Sequence, residues 1–117
     1  MKRFVVLVVV ALLAAASAVT IAAARSSRVT ATTVTVSGKE YKFILSRKSG
    51  PAGAYVFKFK NVGKVKHDFK IAGKKTPLLK PGGKATLRVT LKKGKQKYIC
   101  TFPGHAALGM KGVFTVK

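Results

Sequence analysis

The chain has 117 residues, of which 24 are Lys or Arg and only two are acidic, giving a formal net charge of +22. That length suits one domain and is short for two, and a single cysteine excludes both an intrachain disulfide framework and an iron–sulfur cluster. Despite the charge, no nucleic-acid partner is expected, because Arg is scarce and neither a phosphate-cradling loop nor a nucleic-acid motif is present.

Residues 1–24 have the pattern of an export signal. Met1-Lys2-Arg3 forms a short basic start, Phe4 to Ala16 is an unbroken apolar run, and Ala16-Ser17-Ala18 and Ala22-Ala23-Ala24 are both acceptable cleavage sites. An uncleaved anchor is the alternative, since Phe4 to Ala24 carries no charge and is long enough to span a bilayer. Either way the rest of the chain is expected to be exported to a periplasmic, extracellular or cell-surface location. Residues 25–28 read as a linker and residues 29–117 as the folded domain.

Within the domain, short runs rich in Val, Thr, Phe and Tyr are separated by Gly and Pro. Val29 to Val36 is a first strand, Ser37-Gly38 a break, and Tyr41 to Leu45 a second strand. After the turn at Ser49 to Gly53 comes Tyr55 to Lys60, with Tyr55, Phe57 and Phe59 on one face and Lys58 and Lys60 on the other. A strand carrying His67, Phe69 and Ile71 on one face follows. The loop through Pro77 and Pro81-Gly82-Gly83 leads into a strand with Ala85, Leu87, Val89 and Leu91 inward. Tyr98 to Cys100 and Val113 to Val116 complete the series. About seven strands and no helical period predict an all-β sandwich or small barrel.

The chemistry is concentrated near the C-terminus in Cys100-x4-His105-x4-Met110, with His67 upstream. These positions include every Cys and His of the chain and every Met but the first. Taken singly they would be ordinary, with His67 a packed core histidine, Met110 a gap filler and His105 a surface loop residue. Together they form a thiolate, two imidazoles and a thioether, the donor set of a mononuclear blue-copper site. Thioether is a poor ligand for zinc. Copper would also protect a lone thiol in an oxidising compartment. Cys100 ends a strand, Pro103-Gly104 turns the loop so that His105 returns toward the same point, and Ala107 and Gly109 let it curl until Met110 arrives.

The stretch Tyr98-Ile-Cys100-Thr-Phe-Pro-Gly-His105-Ala-Ala-Leu-Gly-Met110-Lys-Gly112 resembles the ligand loop of the cupredoxins, the plastocyanin/azurin-like type 1 blue copper proteins. It is similar to azurin in Cys-Thr-Phe-Pro-Gly-His and to plastocyanin, auracyanin and rusticyanin in keeping four residues between His and Met. The resemblance implies a Greek-key β-sandwich of about seven to eight strands, one type 1 copper ion, and electron transfer instead of enzymatic turnover. It makes His67, Cys100 and His105 equatorial ligands and Met110 axial, with Asp68 and Thr101 tying the ligand segments together. Two departures stand out: Asp68 occupies a place where these proteins commonly have Asn, and Lys66 one where azurin has a Gly whose carbonyl approaches the metal.

The resemblance also implies an electron path through a solvent-facing His105, framed by a small docking patch of Phe102, Pro103, Ala106, Ala107 and Leu108. Lys64, Lys66 and Lys111 would steer acidic redox partners, such as cytochromes or copper oxidases and reductases, toward a monomeric carrier. Anionic membrane or cell-wall surfaces are a further expected target of the positive charge. An envelope copper carrier or store without a redox role is the competing reading.

Overall fold

A computed structural model describes residues 30–117 of the chain. The expected signal segment, its cleavage points and the 25–28 linker lie outside those residues.

The described residues form nine strands and no helix: β1 (Thr32–Lys39), β2 (Lys42–Leu45), β3 (Ser49–Gly50), β4 (Gly53–Asn61), β5 (Lys70–Ile71), β6 (Lys74–Lys75), β7 (Lys84–Leu91), β8 (Gly94–Ile99) and β9 (Lys111–Val116). The all-β expectation holds, and the count exceeds it because three strands are only two residues long. They build two sheets, ordered β2-β1-β4-β7 and β3-β9-β8-β5-β6. β1 runs parallel to β4, which pairs antiparallel with β7; in the second sheet β8 is antiparallel to both β5 and β9.

Alternation in the long strands produces the core. Tyr55, Phe57 and Phe59 of β4 are buried while Lys58 and Lys60 face solvent, and Leu87, Val89 and Leu91 of β7 do the same against Arg88 and Thr90. Phe69 and Phe114 fill the space between the sheets, with ring centroids 5.3 Å and 5.9 Å from Phe57. Such aromatic pairs contribute about 0.5–1.5 kcal/mol each beyond the area they bury.

Two local expectations are corrected. Ser37-Gly38 does not interrupt β1, because Gly38 pairs with Phe43 on one side and Asn61 on the other. Gly stands there for space: a Cβ would come within 2.7 Å of the Phe59 ring and 3.5 Å of Met110 Cε. Tyr41 is not in β2 but in the turn before it, exposed at the same end of the sandwich.

His67, too, is not on a continuous strand. It makes one isolated bridge, exchanging backbone hydrogen bonds with Leu79, and regular pairing begins only at Lys70. Buried Asn61, at the end of β4, replaces the missing ladder. Its amide donates to the carbonyls of Val65 and Leu79 at 2.8 Å and 2.9 Å, and its Oδ1 accepts from Gly63 N–H. One buried side chain thereby fixes the segment that carries His67.

Candidate metal centre

Four connections meet at one end of the sandwich: the β1–β2 turn, residues 62–69 after β4, the loop preceding β7, and the Cys100–Met110 loop between β8 and β9. The last is closed by its own backbone. Cys100 N–H donates to the Met110 carbonyl at 3.0 Å, and Met110 N–H to the His105 carbonyl at 3.1 Å. Gly104 has a φ of +83°, a conformation that costs glycine little and turns the chain before His105.

The side chains these segments carry converge. His67 Nδ1 and His105 Nδ1 are 3.1 Å apart, and Cys100 Sγ lies 3.9 Å from the first and 3.6 Å from the second. The three are buried, with donor atoms all within 4.8 Å of one another. Met110, between the closing backbone bonds, is fully buried, its Cε seated against Gly38. A soft thiolate, two imidazole nitrogens sharing one focus and a nearby thioether fit copper.

Both acidic side chains of the chain are at this end. Asp68 receives Thr101 N–H at 2.6 Å and also the Thr101 hydroxyl, joining the residue after one ligand to the residue after another. Glu40, from the β1–β2 turn, was missed by sequence reasoning as a site residue. Its Oε1 accepts from His67 Nε2 at 3.0 Å and from the backbone N–H of Lys64 and Val65 at 2.7 Å and 3.0 Å. The available signal was scarcity, since two acidic residues in so basic a chain are both conspicuous. The Val65 N–H most of all, with those of Lys64 and His67, holds the Glu40 carboxyl at about 2.

The ligand set itself is poised against charge. Burial pushes the Cys100 thiol up from its usual range, and the nearby Asp68 charge adds to that against opposing hydrogen bonds from backbone N–H groups. Burial, and then the neighbouring His67, push His105 down. A metal entering this site must therefore displace the thiol proton, so binding strengthens as pH rises.

Of the two imidazoles His105 is the one that keeps some exposure to solvent, while His67 has none. His105 is only 6% exposed, because the rings of Phe102 and Tyr41 pack on it at centroid distances of 4.4 Å and 5.2 Å. Tyr41 thus joins the expected patch. Pro103, Ala107 and Leu108 are exposed, Leu108 at 61%, whereas Phe102 and Ala106 are half-buried. Lys64, Lys66 and Lys111 are exposed on the segments that carry His67 and Met110.

A sequence model of copper-binding proteins of the plastocyanin/azurin family matches residues 15–117. The chain belongs to that family. No curated protein sequence matches it. Among solved structures, this cupredoxin is similar to dithionite-reduced auracyanin from the photosynthetic bacterium Roseiflexus castenholzii, with a TM-score of 0.65 and 25% identity over 74% of this chain and 98% of that one. It is also similar in fold to auracyanin B (TM-score 0.63, 24% identity, 74% and 89% covered). Auracyanin A, a blue copper protein from Chloroflexus aurantiacus, gives a TM-score of 0.63 at 22% identity over 75% and 100%. Copper is the cofactor of this cupredoxin.

Proposed function

We propose that this cupredoxin is an exported one-electron carrier whose copper is held by His67, Cys100 and His105, with Met110 as the weaker fourth donor. The observation that carries the reading is the convergence of both Nδ1 atoms and Cys100 Sγ inside a sealed, backbone-closed pocket. Copper, when bound, supplies the Cu(I)/Cu(II) couple. The chain's part is to keep the donors in place and water out. Asn61, Asp68 and the Cys100–Met110 backbone bonds hold the donors in position before the metal arrives. Burial of every donor favours retention over the ready exchange a copper-delivery protein needs.

Partners would meet the copper end over Leu108, Pro103, Ala107 and the Tyr41 and Phe102 rings that cover His105. A small apolar patch suits brief docking. Lys64, Lys66 and Lys111 would attract an acidic redox protein from a distance.

An optical and EPR spectrum of the copper-loaded protein tests the centre. An intense visible thiolate-to-Cu(II) band is expected, lost in Cys100→Ala; its absence from the parent protein overturns the reading. The docking reading is tested by the electron-transfer rate to an acidic partner as salt is added. The rate should fall steeply as the screening length shrinks toward about 8 Å at physiological ionic strength, and a rate indifferent to salt removes the lysines' role.

A further inference from the structure

The chain has two acidic side chains, and the structure uses both at the ligands in different ways. Asp68 joins two ligand segments through Thr101, whereas Glu40 touches a ligand directly. Its Oε1 is 3.0 Å from His67 Nε2, the ring nitrogen opposite the one that faces Cys100 and His105. An ionised carboxylate has no proton to give, so the Nε2–H of His67 is the donor. That places a proton on Nε2, so that in the neutral ring the Nδ1 lone pair faces His105 and Cys100.

Surrounding geometry preserves this contact. The same oxygen accepts the Lys64 and Val65 N–H groups, which keeps the carboxylate from swinging away. Gly63 leaves the necessary room: a Cβ there would collide with Glu40 Oε1 and stand 2.9 Å from His67 Nε2. Among the described residues, no lysine or arginine side chain forms an ion pair with Glu40, and its side-chain partner is the His67 ring.

We propose that Glu40 is a positioning residue of the copper centre, fixing His67 with Nδ1 toward the metal and biasing that metal toward its more oxidised state. The inference rests on His67 being a ligand. A carboxylate bonded to the far nitrogen of a ligating imidazole orients the ring and makes it a stronger base. A stronger base and a nearby negative charge both favour Cu(II) over Cu(I). In a chain of net charge +22 this local negative charge opposes the general field, which favours the lower-charged ion.

Two measurements test it, one without metal. In long-range proton–nitrogen NMR of the metal-free protein, His67 should carry its proton on Nε2, and Glu40→Ala should give a mixture of tautomers. A parent His67 protonated on Nδ1 overturns the proposal. With copper, Glu40→Gln should keep the visible thiolate band and lose about tenfold in its preference for Cu(II) over Cu(I), a rise in reduction potential of about 59 mV. An unchanged potential with the band intact overturns it. Glu40→Asp, which keeps the charge, should fall nearer the parent than Glu40→Gln, and it replaces that variant should Gln not fold. A parent without the visible band ends the copper reading instead, and the NMR result then decides the Glu40–His67 pair by itself.

Discussion

The body of the sandwich and its copper-bearing end are held together by different physics. Between the sheets, the contacts are apolar and come from regular strands: Phe57, Phe69, Phe114, Val34, Leu91 and their neighbours. At the metal end there is little regular pairing. Order there comes from four polar side chains, Asn61, Glu40, Asp68 and Thr101, each bonded to a connection distant in sequence. This division predicts that losing a contact in the body leaves the site unchanged, and that losing a carboxylate at the site leaves the body folded. Separating the frame from the ligand cradle in this way lets the cradle vary its electrostatics on a constant scaffold.

The comparison breaks most visibly in the body. Phe57→Ala removes a fully buried ring between the sheets and should lower unfolding free energy by about 3–5 kcal/mol, read from denaturant titration of the metal-free protein. Whatever fraction folds should still show the visible band on copper loading. Loss of the band in folded Phe57→Ala would show that frame and cradle are not separable.

The second substitution acts on the cradle alone. Asp68→Asn removes a negative charge close to the ligands while an amide oxygen can still accept from Thr101. The reduction potential should rise, by about 59 mV if the preference for Cu(II) falls tenfold, with denaturant stability within about 1 kcal/mol of the parent. Voltammetry across a range of pH is the check, and an identical potential throughout would remove Asp68 from the electrostatics of the site.

The smallest effect is a matter of pH. Glu40 is held at about 2, below the ordinary 4.5, so the unfolded chain binds its proton more readily than the folded one. Its contribution is complete above about 4.5 and is lost as pH falls through about 2. Because the strand residues of the body carry no carboxylate, acid should loosen the Lys64 and Val65 amides first and leave Phe57 and Val89 protected. Hydrogen exchange of the metal-free protein measures both sets, and simultaneous loss of protection would contradict the division.

Much of this was legible in the residues. Alternation in Tyr55–Lys60 and Ala85–Leu91 predicts the inward face because a half-buried strand has a period of two, although Val56 on the lysine face is also buried and Ala85 is only half-buried. The ligand types were legible because the chain has no other Cys or His. Apart from the meeting of His67 with Cys100 and the Asp68–Thr101 tie, which the ligand set and the family resemblance implied, legibility failed where a contact is made by residues far apart in sequence. Ser37-Gly38 has the composition of a turn, but β1 is paired on both sides there and the missing side chain admits Phe59 and Met110. His67 was expected on a strand, whereas Asn61 and Leu79 hold it outside one. The resemblance points to His105 as the solvent-facing imidazole, but nothing in it places Tyr41, from the β1–β2 turn, over that ring together with Phe102.

By itself the sequence determined a β-rich chain, four candidate donors and a strongly positive charge, all of which depend on residue type and local spacing. Only the tertiary structure decided that both ring Nδ1 atoms face one sulfur, that His67 is oriented by Glu40, and that the two acidic side chains of so basic a chain stand at its metal centre. Those facts depend on which segments meet across 27 to 38 positions of chain, a range at which the family resemblance implied the shared ligand site and the Asp68–Thr101 tie but no local pattern of residues encodes the atoms that face one another or the Glu40 contact.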